Sequence, residues 1–197
     1  MAPILSKKVS KAQEKAKALR ESCWPGFDEK KLWSTSTCKG YTTIPRTLPL
    51  IMNIIDALTK NKPAGRAYFV MWCRSYDQSL VVIDNPLTLA IEAGFTGERA
   101  LSTWKDRMRS LVDLGFILAK DGPAGTYQFV LMLNPHKVVW DLQHSVQEGM
   151  FRQLQARAIE IGADDLGPVE ADEEEPADAE AAAADESTDE SGEEAAE

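Results

Sequence analysis

The sequence has no lysine or arginine after Arg157, only two histidines and three cysteines, and no apolar run approaching the length of a membrane span. Each shortage excludes something. Spanning a bilayer takes about 18 to 20 apolar residues, and the N-terminal "MAPILSKKVSKAQEKAKALRES" lacks the hydrophobic centre of a signal peptide. The expectation is a cytoplasmic protein with no membrane contact. Cys23, Cys38 and Cys73 are odd in number and share no CxxC spacing, as in a reducing compartment. His136 and His144 stand eight apart with no cysteine or carboxylate cluster beside them, so no metal site is expected. There is no glycine-rich phosphate loop, no nucleophile elbow and no histidine with a carboxylate at a helpful spacing. Neither enzyme activity nor a cofactor is expected.

What is present is divided by charge. Residues 1–159 hold all 22 Lys and Arg against 14 Asp and Glu, a balance of +8, while residues 160–197 hold 17 acids and no base. The overall charge of −9 describes neither part. From Ala163 onward the chain is Asp, Glu, Ala, Ser and Thr with a few Pro and Gly. It has too little apolar surface to offset its conformational entropy and reads as a disordered acidic tail.

Residues 6–22 are good helix formers with a thin apolar stripe, Val9, Ala12, Ala16 and Leu19, and read as an exposed basic helix or a mobile arm. Residues 23–47 show no sustained period. From Leu48, "LPLIMNIIDALTK" places Leu50, Ile51, Ile54, Ile55 and Leu58 at helical spacing, with Pro49 in the first turn. "GRAYFVMWCRSYDQ" sets Tyr68, Phe69, Trp72, Cys73 and Tyr76 on a second helical stripe, read as core in preference to a base-stacking platform. "SLVVID" reads as a buried strand. Asn85 and Pro86 form a helix start, a capping residue and a proline at the first position, before "LTLAIEAGF". After Thr96 comes a long helix whose buried face is Leu101, Trp104, Met108 and Leu111, ended by Gly115. "FILAKDGPAGTYQFVLMLNP" is a hairpin with a five- or six-residue tip over Asp121 to Gly125. "HKVVWDLQHSVQEGMFRQLQARAIEIG" reads as one long C-terminal helix with a seam of Val139, Leu142, Val146, Met150, Leu154 and Ile161.

This order, together with the Ala93-Gly94-Phe95 turn, Thr96 as cap of the following helix, the Leu101, Trp104, Met108, Leu111 face and "DLGFI" leading out of it, resembles a winged helix-turn-helix over residues 84–134. It is loosely similar to bacterial plasmid replication or maintenance proteins and transcriptional regulators. The implied fold is mainly α with a small β-hairpin wing (α+β). Its parts are a basic arm over 1–40, a winged-helix domain over 41–135, a C-terminal helix over 136–162 and the acidic tail over 163–197.

The implied function is sequence-specific binding of double-stranded DNA, with the second helix of the pair in the major groove. Arg99 is then the candidate for reading guanine, and Ser102 and Thr103 for base or phosphate contacts. Lys105, Arg107 and Arg109 would sit nearer the backbone, and Lys120 would reach a flanking phosphate from the wing. Asp106 faces the same way and opposes indiscriminate phosphate binding. The lysine-rich arm, from Lys7 to Arg20, would add phosphate contacts. The seam over 139–161 suggests a homodimer. The alternative is a protein-interaction adaptor that docks partners through the winged helix, its acidic tail recruiting a basic protein.

Overall fold

A computed structural model describes residues 11–75 and 78–168. Lys7, Lys8, Val9, Tyr76 and all but the first six residues of the acidic tail therefore lie outside the described residues.

The described chain is α+β, a set of α-helices with a small three-stranded antiparallel sheet. Helix α1 (Lys11–Cys23) is solvent-exposed and buries none of its apolar stripe that is described; Leu19 is two-thirds exposed. Arg20 near its end pairs with Glu29, in a short 3-10 turn over Glu29–Lys31 that Asp28 caps. The lead-in to residue 47 is otherwise irregular, with Trp33 edge-on to Tyr41 at 5.8 Å.

Helix α2 (Leu48–Thr59) buries Leu48, Ile51, Ile54 and Ile55, and its Asp56 accepts a 2.7 Å hydrogen bond from the Gly65 amide at the start of α3 (Gly65–Arg74). The face of α3 that reaches the core is Ala67, Tyr68, Val70 and Met71. That corrects the expected aromatic stripe: Phe69 and Cys73 are exposed and Trp72 is half-buried. Helices α2, α4 and α5 all pack on α3, and just one aromatic ring of this helix is fully buried. That ring, Tyr68, lies edge-on to Phe116 at 5.4 Å, and burial pushes its phenol well above the ordinary tyrosine range.

Strand β1 (Leu80–Val82) precedes α4 (Pro86–Glu92), whose N-cap Asn85 accepts from the Leu87 amide at 3.1 Å with Pro86 in the first turn. Helix α5 (Ala100–Asp113) leads into β2 (Ile117–Gly122) and β3 (Gly125–Met132). The sheet order is β1-β3-β2, all antiparallel, with Leu80 and Leu118 flanking Leu131, and Val82 and Lys120 flanking Phe129. Only one face is packed: Val81, Ile117, Val130 and Met132 are buried while Leu80, Val82, Leu118, Phe129 and Leu131 are exposed. "SLVVID" is thus an edge strand with one buried face, not a buried strand. The hairpin tip is also shorter than expected. Gly122 pairs with Gly125, leaving Pro123 and Ala124 as the turn, and the additional residues are absorbed by an irregularity between Lys120 and Gly122.

The C-terminal region differs most from expectation. It is two helices, α6 (Pro135–Asp141) and α7 (Glu148–Ile161), joined by turns over residues 142–147. At 1.5 Å per residue an unbroken helix over 136–162 would run roughly 40 Å, past the edge of so small a body. The break returns α7 to pack on α2, with Trp140 and Phe151 meeting across it at 6.2 Å. Val139, Val146 and Leu154 are consequently buried inside the chain, with Leu142 and Met150 packed against the same core, so this seam presents no continuous free surface.

The body does not end at 162 either. Asp165 meets His136 Nδ1 at 2.6 Å and Asn134 Nδ2 at 2.7 Å, the Lys137 ammonium donates to the Pro168 carbonyl at 2.6 Å, and Leu166 packs on the core. His136 Nε2 completes the set with Thr47 Oγ1 at 2.7 Å. A carboxylate partner for His136 therefore exists, 29 residues along the chain. Thr47 is wholly buried, so its hydroxyl ties the start of α2 to α6 and has no open side from which to act.

Candidate nucleic-acid interface

Helix α5 carries most of the candidate residues. Its inner face is Ala100, Trp104, Met108 and Leu111, spaced 4, 4 and 3, all buried. Leu101 was expected in this set but is exposed, and Ala100 takes its place. The start of the helix explains the change. Gly97 holds a left-handed φ of +76°, open to glycine and strained for other residues, so the chain turns after Thr96 and becomes helical only at Ala100, with Arg99 at the N-cap position. Thr96 is therefore not the cap, and the buried face is shifted accordingly. No side chain caps the first turn, which leaves the positive end of the helix dipole uncompensated by a capping oxygen.

With that inner face fixed, the 3.6-residue period directs Ser102, Asp106, Arg109 and Asp113 outward, flanked by Arg99 and Lys105. Arg99, Ser102, Lys105 and Arg109 are exposed and Thr103 is half-buried. The Ser102 hydroxyl donates to the Arg99 carbonyl at 3.0 Å, a bond that it can exchange for another acceptor.

Arg107 lies elsewhere than expected. Its guanidinium carbon stands 5.8 Å from the Phe95 ring centroid, and its Nε is buried. This side chain braces the 94–97 turn against α5, a cation-on-ring contact, and does not project with Lys105 and Arg109. Lys120 extends from the outer face of the sheet, in one row with Phe129 and Val82. The uncharged tip is Pro123 and Ala124.

Two cations join this face that the periodicity of α5 does not reveal. Lys62, in the loop between α2 and α3, lies 3.6 Å from Asp106. Arg66, in the first turn of α3, approaches the α4–α5 turn, since a Cβ built on Gly94 would stand 2.9 Å from its Nη1. The only sequence signal was the cluster of Lys60, Lys62 and Arg66 around "NKPAGR". Lys62 offsets part of the charge of Asp106, though an exposed pair of this length contributes at most about 1 kcal/mol. On the other side of α4, Arg74 holds Glu92 through two hydrogen bonds, which keeps that carboxylate engaged.

Among the described residues no helix is long and apolar enough to cross a membrane, and no group of three or more His, Cys, Asp or Glu is placed to hold a metal ion. No protein-family model, curated protein or solved structure matches the chain.

Proposed function

We propose that the protein binds double-stranded DNA in a sequence-specific manner through the outward face of α5, as a winged helix whose wing is the β2–β3 hairpin. The observation that carries this reading is the division of α5. One side is locked into the core by Trp104, Met108 and Leu111, and the other presents Ser102, Lys105 and Arg109, with Arg99 at the start. A helix held in this way is a rigid body of the width that the major groove admits. Its N-terminal end, with Arg99 and Ser102, is the part that approaches base edges in this mode of docking.

Arg99 supplies a planar fork for guanine, and Ser102 and Thr103 supply short hydroxyls that donate or accept. Lys105 and Arg109, with Lys62 and Arg66 beside the turn, take phosphates. Arg107 acts at one remove by fixing the turn that sets the entry angle of α5. The +8 balance of residues 1–159 favours a polyanion, as does the exposed basic helix α1. Such a site serves a transcriptional regulator or a plasmid replication or maintenance factor equally.

The test is selection of bound duplexes from a random library by the full chain, followed by affinity measurement on the selected site. Arg99→Ala should cost about 1–3 kcal/mol there and relax preference at one base position, while Arg109→Ala should weaken all duplexes alike. No binding of any duplex at tens of micromolar and low salt would overturn the reading in favour of an adaptor whose acidic segment recruits a basic protein.

A further inference from the structure

The outer face of the sheet is apolar and uncovered. Leu80 and Val82 on β1, Phe129 and Leu131 on β3 and Leu118 on β2 are between 38% and 55% exposed, and the strand register sets them in two adjoining rows. Antiparallel sheets with one solvated face normally alternate apolar inside with polar outside. Here both faces are apolar, and Lys120 is the one charged side chain in those two rows.

We infer that a second copy of this chain covers this face, giving a two-fold dimer through sheet-on-sheet packing. The first row reads Leu80, Leu131, Leu118 across β1, β3 and β2, and is the same from either edge. A two-fold axis along β3, midway between two such sheets, sets Leu131 against Leu131 and Phe129 against Phe129, and brings Leu80 opposite Leu118. This is the self-complementarity that an isologous interface requires, with the sheets about 10 Å apart and rotated by their twist. Lys120 then lies opposite Val82, where its stem extends the apolar cover and its ammonium stays at the rim. Asp84, exposed two residues beyond the end of β1, is the next carboxylate along the chain and accepts from Gln128 Nε2 at 3.4 Å.

The area supports this occupant. The five side chains expose roughly 400 Å² of contiguous apolar surface, in the range of the largest patch on a monomer, which is often functional. A stable interface buries about 800 Å² per partner, with an apolar centre and a polar rim, so the patch supplies the centre. The acidic segment of this chain is unsuited to the role, because residues 169–197 contain no large apolar side chain besides Val169. The dimer does not depend on DNA binding, and it replaces the seam over 139–161, whose side chains the body already uses.

Sedimentation equilibrium of the full chain at tens of micromolar should give the dimer mass. Leu118→Asp and Leu80→Lys should each give the monomer mass, with circular dichroism and unfolding midpoint close to those of the parent because both positions are exposed. Mixed in equal amounts, the two variants should recover the dimer. The mixed pair keeps one Leu80–Leu118 contact and sets the new carboxylate against the new ammonium at the other. A monomeric parent at that concentration would overturn the proposal and leave the face to a different protein. Dimers in both single variants would overturn it too, as would two monomeric variants that fail to recombine.

Discussion

Replacing Asp165 with alanine should loosen the C-terminal strap and destabilise the whole body, since this carboxylate is where residues 163–168 are held. It accepts hydrogen bonds from His136 Nδ1 at 2.6 Å and Asn134 Nδ2 at 2.7 Å. Hydrogen bonds to a charged group contribute about 1.5–3 kcal/mol each when shielded. The Asp165 side chain is 39% exposed, so solvent screening reduces that figure, and a total of about 2 kcal/mol is expected.

The pH dependence follows from opposing influences on the same carboxyl. Partial burial raises its pKa, but the hydrogen bonds from His136 and Asn134 and the attraction of His136 outweigh burial, and the net direction is downward. A carboxyl with a depressed folded pKa stabilises the native state above its unfolded value, and loses that contribution as pH falls through the folded value. Urea unfolding of parent and Asp165→Ala should therefore differ by about 2 kcal/mol at pH 7, and the gap should narrow as pH drops below about 3.9. A difference under about 0.3 kcal/mol at pH 7, within the range of ordinary surface substitutions, or a gap that widens on acidification, would refute the reasoning.

Other perturbations address the elements that present the candidate site. Asn85→Ala removes the cap of α4 and should cost about 1 kcal/mol in the same unfolding assay. Trp104→Ala empties the largest fully buried side chain of α5; it should cost about 3–5 kcal/mol and abolish DNA binding together with the fold, as read by circular dichroism. Deletion from Val169 onward leaves the Asp165 strap in place and removes 14 of the 16 acidic residues of the tail over 163–197. If that segment competes with phosphate for the α5 cations, affinity for random duplex should rise several-fold, most at low salt where charges are least screened. Unchanged affinity would reduce the segment to a solubilising appendage.

The helices that form the core were legible because their apolar residues follow the 3.6 period over two turns or more. Leu48 to Leu58 and Trp104 to Leu111 could be placed from spacing alone. Caps with a stereochemical signature were equally plain, Asn85-Pro86 above all. What spacing cannot supply is which side of an apolar element finds a partner. Leu80 and Val82 have the same chemistry as the buried Val81, and they are exposed because side chains alternate along β1 and only one face of the sheet is packed, as at Phe129 and Leu131 on the central strand. Residues 142–147, which break α6 from α7, contain no proline or glycine, so the seam read as continuous.

Of the candidate site, Arg99, Ser102, Lys105 and Arg109 could be read from a helical wheel, whereas Arg107 falls at its margin and is captured by Phe95, a residue outside the helix. Lys62, Arg66 and the His136–Asp165 contact bring together parts of the chain separated by tens of residues. Local pattern carries no record of such pairs.

The central claim, that the outward face of α5 meets DNA phosphates, is tested most directly by the salt dependence of binding. Affinity of the full chain for a random duplex should fall linearly with the logarithm of salt concentration, the slope being about 0.9 per phosphate neutralised. Lys105→Ala and Arg109→Ala should each reduce that slope by about 1, and together by about 2. A slope unchanged in the double variant, with the fold intact by circular dichroism, would place the phosphate contacts elsewhere and contradict the account.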